Sequence, residues 1–194
     1  MFDARMLAFP SRLPDQPIFY PVLERGYAIQ IARDWNAPSE QSRFAGFVTE
    51  FEVAADYLTQ FPEKTVGSSL HRELWVPSDR LEEFNTQIRG PIRITNAFFS
   101  VSYIGFVPDR FGLAGKTAAE QLKCMAATLG YSGMDFVLEI VANNKAIYLN
   151  FPFWVSGGFS EHALPDEKRQ QTFAALREVW DQRFSEIPLY VPPP

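Results

Sequence analysis

A histidine, a glutamate and a tryptophan alternate within one short apolar segment, residues 70–76. Successive side chains of a β-strand point to opposite faces, so a strand over 70–76 would place His71, Glu73 and Trp75 on the same face. This face would hold two titratable groups beside an indole, and such groups are what acid–base and electrostatic catalysis use. The other interpretation is an ordinary solvent-exposed face with a partly exposed tryptophan, since single exposed aromatic side chains are common.

Other chemistries find less support in the sequence. His71 and His162 are the only histidines and Cys124 is the only cysteine, so no spacing resembles a zinc or iron site and no metal is predicted. Scattered carboxylates leave a magnesium site open, and Cys124 is interpreted as a structural thiol. The segment 112–117 resembles part of a phosphate-binding loop but lacks its first glycine, so Thr117 is interpreted as a helix cap.

The elements that must position segment 70–76 alternate between strands and helices. Ser78 is a suitable N-cap for the helix that follows Pro77, and Gly90 is a suitable end for it. Hydrophobic periodicity predicts four strands, over 17–23, 44–53, 70–76 and 91–101, and three helices, over 24–35, 54–61 and 79–88. We therefore expect an α+β fold in which short mixed or antiparallel strands are interspersed with helices.

The second half of the chain is predicted to form a helix–β-hairpin–helix module. Its first helix, over 117–129, begins with a capping box of Thr117 and Glu120. Its last helix, over 166–184, buries Trp180. We predict a domain boundary between residues 104 and 105, and the other interpretation is that the two halves share one core.

The predicted hairpin joins two apolar runs, 134–142 and 146–154, through the turn 143–145. Two consecutive asparagines favour a turn because asparagine tolerates left-handed backbone conformations. Polar side chains on the hairpin form either an ordinary solvated face or a polar cleft for a ligand or a basic residue. These side chains are Asp135, Glu139 and Asn150.

Composition and charge limit the classes of partner. The 194 residues include 46% hydrophobic and 15% aromatic residues, which predicts a globular protein with a well-filled core. Lys and Arg number 18 against 23 Asp and Glu, and neither half is basic, so nucleic acid is not expected as the main partner. No apolar run is long enough to span a membrane and no secretory signal is evident, so a cytoplasmic protein without a membrane partner is predicted. The oligomeric state does not follow from the sequence.

Five segments of the first half resemble a group of small bacterial proteins that carry a crystallin-J-like ADP-ribosylation label. The resemblance covers about residues 7–98, and it lies in Arg-Leu-Pro-Asp-Gln-Pro-Ile-Phe-Tyr-Pro-Val (12–22), 27–36, 47–53, His-Arg-Glu-Leu-Trp-Val-Pro (71–77) and 84–92. A crystallin-J protein would be an all-helical hydrolase with metal-binding aspartates, unlike this strand-rich pattern. The layout is more similar to an ADP-ribosyltransferase-like fold, with a tyrosine-bearing strand, a helix, and a strand that carries a catalytic glutamate.

The resemblance implies roles for particular residues. Phe19 and Tyr20 would stack on the nicotinamide of NAD, and Glu73 would stabilise the positive charge that develops on the ribose as nicotinamide leaves. His71 would occupy the polar position two residues before that glutamate. In the group an additional first strand carries a Tyr-Arg pair whose arginine would hold the NAD pyrophosphate; this chain begins after it, and Arg5 or Arg12 would take its place.

Two functions are therefore expected from the sequence. The first is an NAD-binding ADP-ribosyl-transfer enzyme, or a degenerate relative, with NAD as substrate and residues 1–104 as its ADP-ribosyltransferase-like module. The second is a non-catalytic interaction protein, such as an immunity or regulatory partner, that uses its aromatic residues as a contact surface. The partner is a small-molecule nucleotide in the first case and a protein in the second. If Tyr20, Glu73 and an arginine converge on one concave pocket, the enzyme is favoured over the interaction protein.

Overall fold

The computed structural model describes residues 1–157 and 164–193, and their fold is of the α+β class, as predicted. His162 lies outside the described residues. The described α-helices are α1 (Arg25–Gln30), α2 (Ala55–Leu58), α3 (Leu81–Thr86), α4 (Ala118–Tyr131), α5 (Gly133–Ala142), α6 (Asn144–Val155) and α7 (Asp166–Arg183). The described strands are β1 (Ile18–Phe19), β2 (Ala45–Val53), β3 (Glu63–Thr65), β4 (Arg72–Leu74), β5 (Val76–Pro77) and β6 (Ile88–Phe99).

The six strands form three separate two-stranded antiparallel sheets, β1–β5, β2–β6 and β3–β4. The long pair β2–β6 confirms the strands predicted over 44–53 and 91–101, and it places Glu50 opposite Arg93. The strand predicted over 70–76 is divided at Trp75 into β4 and β5, and the one predicted over 17–23 is only two residues long. An ADP-ribosyltransferase-like arrangement of these strands stays a prediction.

Residues 134–154 are helical, so the predicted β-hairpin is wrong. The Ser132 hydroxyl accepts a hydrogen bond of 3.1 Å from the Asp135 amide and thereby caps α5. Phe136 and Ile140, four residues apart, are both fully buried, as one face of a helix requires. Asn143 makes the junction between α5 and α6 with a negative φ of −113° rather than a left-handed turn. Apolar runs of this length fit a helix or a strand equally well, and here packing decides.

The structure shows neither the solvated sheet face nor the polar cleft that was predicted for Asp135, Glu139 and Asn150. Glu139 is buried, and its carboxylate accepts hydrogen bonds from the Gly112 amide at 2.7 Å and from the Asn143 side chain at 3.0 Å. Asn150 lies on the next helix and has different partners. These residues therefore form neither a solvated sheet face nor one shared cleft.

Asn150 joins the connector after β6 to the C-terminal helices. Its Oδ1 atom accepts hydrogen bonds from the Tyr103 hydroxyl at 3.0 Å and the Phe106 amide at 2.8 Å. Its Nδ2 atom donates to the Phe106 carbonyl and to Gln121 Oε1, each at 2.9 Å. Gly105 lies against this amide with a φ of +89°, and a Cβ there would come within 2.8 Å of Asn150 Oδ1. The connector is thus fixed by buried hydrogen bonds.

The larger hydrophobic core includes residues from both halves of the chain. Met6, Ile92 and Ile94 from the first half pack in the same cluster as Trp154 and Trp180 from the last helices. A smaller cluster includes Leu74, Val76, Leu81 and Phe84, and it lies beneath β4, β5 and α3. The predicted capping box of α4 is confirmed, and α7 ends one residue before the predicted end. The division at residue 104 stays a prediction.

None of the helices in the described ranges combines the length and the apolar character that crossing a membrane requires.

Replacement of Trp180 tests the C-terminal core. Its side chain is fully buried, and its Nε1 atom donates a 2.7 Å hydrogen bond to the Ile187 carbonyl. We expect Trp180→Ala to lower the free energy of unfolding by about 3–5 kcal/mol, measured by urea denaturation. The matched change at half-exposed Trp35 should cost less than about 1 kcal/mol. A cost below about 1 kcal/mol at Trp180 would contradict the observed packing.

Candidate functional site

A cavity of about 1000 Å³ lies among the N-terminal segment, β1, α1, the first half of β2, and β4 with the residue that follows it. Its volume is at the upper end of the range of small-molecule sites, which are commonly about 300–1000 Å³. Six of its lining residues are aromatic: Phe19, Tyr20, Tyr27, Trp35, Phe47 and Trp75. The charged groups of Arg12 and Glu73 belong to the same lining.

Four of the five predicted site residues therefore line one cavity: Arg12, Phe19, Tyr20 and Glu73. The fifth, His71, is not among its lining residues and packs behind Tyr27. Arg5, the other arginine considered for the pyrophosphate, forms an ion pair of 3.6 Å with Glu186 instead. Trp75 was predicted on the same face as Glu73, whereas Tyr27, Trp35 and Phe47 were not predicted at the site, because they come from segments distant along the chain.

Backbone pairing on both sides of β4 fixes the direction of Glu73. On one side β4 pairs with β3, and on the other it pairs with residues 21–23. There the Leu74 amide donates to the Pro21 carbonyl at 2.9 Å, and the Leu23 amide donates to the Arg72 carbonyl at 3.0 Å. Strand alternation then turns Leu74 into the smaller core and Glu73 toward the cavity.

The Glu73 carboxylate is buried and held by two neutral donors. The residue is only 9% exposed. Its Oε1 atom accepts a 2.9 Å hydrogen bond from the Tyr27 hydroxyl, and its Oε2 atom accepts a 3.2 Å hydrogen bond from the Trp75 indole. In the described ranges no lysine or arginine forms an ion pair with it. A buried carboxylate without a cation is costly.

The Tyr27 hydroxyl keeps its proton at neutral pH, so it can donate a hydrogen bond. Burial of its phenol raises the pKa of Tyr27 first, and the hydrogen bond and negative charge of Glu73 raise it further. The ring of His71 stacks on Tyr27 with 4.1 Å between ring centroids. The Nδ1 atom of His71 lies 3.1 Å from the Val66 carbonyl oxygen, and its Nε2 atom lies 3.0 Å from the side-chain oxygen of Gln30. His71 thus positions Tyr27, and through it Glu73.

A widened helical turn brings three further residues to the cavity: Ile31, Trp35 and Asn36. The helix that begins as α1 continues as a π-helix, Ile31–Asn36, in which the Ala37 amide bonds to the Ala32 carbonyl. Gly46 of β2 passes this turn so closely that a Cβ would lie 1.8 Å from the Ala32 carbonyl oxygen. The π-helix presents Trp35 at the cavity, 6.1 Å from Tyr27 between ring centroids. Isolated π-turns often occur at functional sites.

Two oppositely charged residues, Arg12 and Glu73, line the same cavity. The Nε atom of Arg12 is buried without a hydrogen-bond partner among the residues that the structure describes. Tyr20 and Trp75 meet edge to face at 5.7 Å between centroids. Flat aromatic groups stack on such walls, a guanidinium recognises an anion, and a carboxylate recognises a cation. The cavity therefore suits an aromatic ligand that carries both charges.

Comparison of the chain with protein-family models, with curated proteins and with solved structures returned no match. The function of the site is therefore inferred from its own geometry.

Removal of the Tyr27 hydroxyl tests the support of Glu73. We expect Tyr27→Phe to lower the free energy of unfolding by about 1–3 kcal/mol, because one oxygen of a buried carboxylate loses its donor. In a Glu73→Gln background the same change should cost at least about 1 kcal/mol less, since the hydroxyl then forms its hydrogen bond with a neutral amide instead of a carboxylate. Tyr131→Phe, at an exposed tyrosine, should have no effect. Equal costs in both backgrounds, measured by urea denaturation, would contradict the described contact.

Proposed function

We propose that this chain binds NAD in the aromatic cavity and catalyses ADP-ribosyl transfer, to an acceptor or to water. One observation supports the proposal above all others: the Glu73 carboxylate is buried in the cavity wall and held by neutral donors only. Because no lysine or arginine in the described part of the chain forms an ion pair with it, this carboxylate is available to a positive charge on a bound molecule.

The oxidised nicotinamide ring of NAD is flat and positively charged. In the proposal it stacks beside Tyr20 and Phe19, near Glu73. When the bond between nicotinamide and the ribose breaks, its electron pair leaves with nicotinamide, and the positive charge passes to the ribose. A carboxylate already fixed at that position stabilises the charge without reorganisation, which is how electrostatic catalysis lowers a barrier. A nucleophile then attacks the same ribose carbon and loses its proton.

Arg12 has a separate role in the proposal. Its guanidinium lines the same cavity, and its Nε atom has no hydrogen-bond partner among the described residues. The pyrophosphate of NAD would supply acceptor oxygens for that group. The volume of about 1000 Å³ accommodates a dinucleotide better than a single ring.

Glu73→Gln tests the catalytic part of the proposal. The amide has nearly the same shape as the carboxylate but no charge, so the fold should persist while nicotinamide release from NAD falls at least about 100-fold. NAD at about 100 times its Kd should still stabilise the wild-type chain by about 2.7 kcal/mol in thermal unfolding. Glu82→Gln, at an exposed glutamate of α3, is the matched control and should leave the rate unchanged.

The outcomes separate the two parts of the proposal. Stabilisation by NAD without turnover would show a degenerate relative that binds the dinucleotide but has lost the reaction. Wild-type protein that is neither stabilised by NAD nor able to cleave it would contradict the proposed function and favour the non-catalytic interaction protein. Equal losses in Glu73→Gln and Glu82→Gln would contradict the assignment of Glu73.

A further inference from the structure

A second cavity, of about 420 Å³, lies between the start of α1, the middle of β6 and the chain segment that follows α7. Its volume falls within the range of small-molecule sites, which is about 300–1000 Å³. It shares no lining residue with the aromatic cavity. A ligand bound here would therefore occupy a site separate from that of the proposed dinucleotide.

The lining of this cavity combines two arginines with an apolar wall. Arg25 of α1 and Arg93 of β6 supply its charged groups, and Thr95, two residues further along β6, supplies a hydroxyl. None of the described residues that line it is acidic. The other lining residues are apolar: Ile94, Pro188, Leu189, Val191, Pro192 and Pro193. We call this space the arginine cavity.

Both guanidinium groups of the arginine cavity are available to an anion. Neither of them forms an ion pair with a described carboxylate. Arg25 donates one hydrogen bond of 3.1 Å from Nη2 to Asn96 Oδ1, which ties it to β6, the strand that carries Arg93. A guanidinium has five N–H donors, so this bond leaves most of them for a ligand.

Acidic side chains near the cavity leave both arginines unpaired. Glu24, next to Arg25 in the chain, forms an ion pair of 2.8 Å with Arg72 instead. Glu50 lies opposite Arg93 in the β2–β6 pair, and it shares adjacent cavities with Arg25 and with Arg93. Glu50 is exposed and forms no ion pair with either arginine. Because water screens such an exposed charge, Glu50 weakens an anion site here without occupying it.

The apolar wall is fixed by the C-terminal helix before a ligand binds. Trp180 Nε1 donates a 2.7 Å hydrogen bond to the Ile187 carbonyl, and Arg177 Nη2 donates one of 3.0 Å to the Tyr190 carbonyl. Three of the wall residues are prolines, whose rings fix the backbone angle φ. A ligand that lies against this wall therefore orders little of the chain, which favours its binding.

We propose that the arginine cavity binds a small carboxylic acid with an apolar body. The planar guanidinium groups of Arg25 and Arg93 match the geometry of a carboxylate. The apolar body of the ligand covers the wall formed by residues 188–193. An inorganic anion alone would leave this wall exposed to water, and a neutral apolar molecule would leave both guanidinium groups without an acceptor. Both parts of the ligand are therefore needed.

Titration with three matched probes at neutral pH, followed by NMR, tests the proposal. Phenylpropanoate carries both the carboxylate and the apolar body, phenylpropanamide lacks the charge, and acetate lacks the body. We expect phenylpropanoate to bind at least about 10-fold more tightly than either of the others, because only this probe has a partner for each part of the cavity.

Substitutions identify the residues that hold the carboxylate. Arg93→Gln breaks no ion pair among the described residues, so the circular dichroism spectrum should not change while the Kd of phenylpropanoate rises at least about 10-fold. Arg25→Gln should also raise this Kd. Glu50→Gln should lower it, since a competing negative charge is removed. Arg183→Gln, at an exposed arginine at the end of α7, is the matched control and should leave the Kd unchanged.

Several results would overturn the proposal. These are the absence of phenylpropanoate binding up to about 10 mM, binding of the amide or of acetate as tight as that of phenylpropanoate, and an unchanged Kd in either Arg25→Gln or Arg93→Gln. A higher Kd in Glu50→Gln, or an equal loss of binding in Arg183→Gln, would also overturn it. Because the two cavities share no lining residue, none of these results bears on the binding of NAD.

Discussion

The buried charge of Glu73 is the constraint on which the rest of the site depends. Its two hydrogen bonds come from Tyr27 on α1 and from Trp75, between β4 and β5. Neutral donors lower the cost of burying a carboxylate but leave its charge in place. The elements that supply these donors must therefore be held rigidly, since a shift of either one would leave a buried oxygen without a partner. His71, stacked on Tyr27, contributes to that rigidity.

The rest of the fold provides this rigidity from outside the cavity. Residues 21–23 and β3 hold β4 on both edges, and the smaller core fixes Leu74 and Val76 beneath it. The close passage of Gly46 past the π-helix fixes the turn that carries Trp35. The C-terminal helices support β6 through the larger core. These contacts explain how the two-stranded sheets of the described residues can maintain a large cavity.

Local sequence signals predicted some of this structure and long-range contacts determined the rest. Alternation correctly placed Glu73 and Trp75 on one side of the backbone, where the indole donates to the carboxylate, and the capping box predicted the start of α4. Both signals depend on neighbouring residues alone. The helical state of the runs 134–142 and 146–154 was missed because apolar runs of this length fit a helix or a strand. Tyr27 was predicted on a helix but not as a partner of Glu73, since the two are 46 residues apart.

We propose that the cavity uses the negative charge of Glu73 to recognise a positively charged nicotinamide ring. Calorimetric titration with NAD and with NADH tests this recognition, because the reduced ring has nearly the same shape but no positive charge. We expect wild-type protein to bind NAD at least about 10-fold more tightly than NADH, a difference of about 1.4 kcal/mol. In Glu73→Gln this preference should disappear. Equal affinity of the wild-type chain for the two dinucleotides, or a preference that survives in Glu73→Gln, would show that the charge of Glu73 does not recognise the nicotinamide ring.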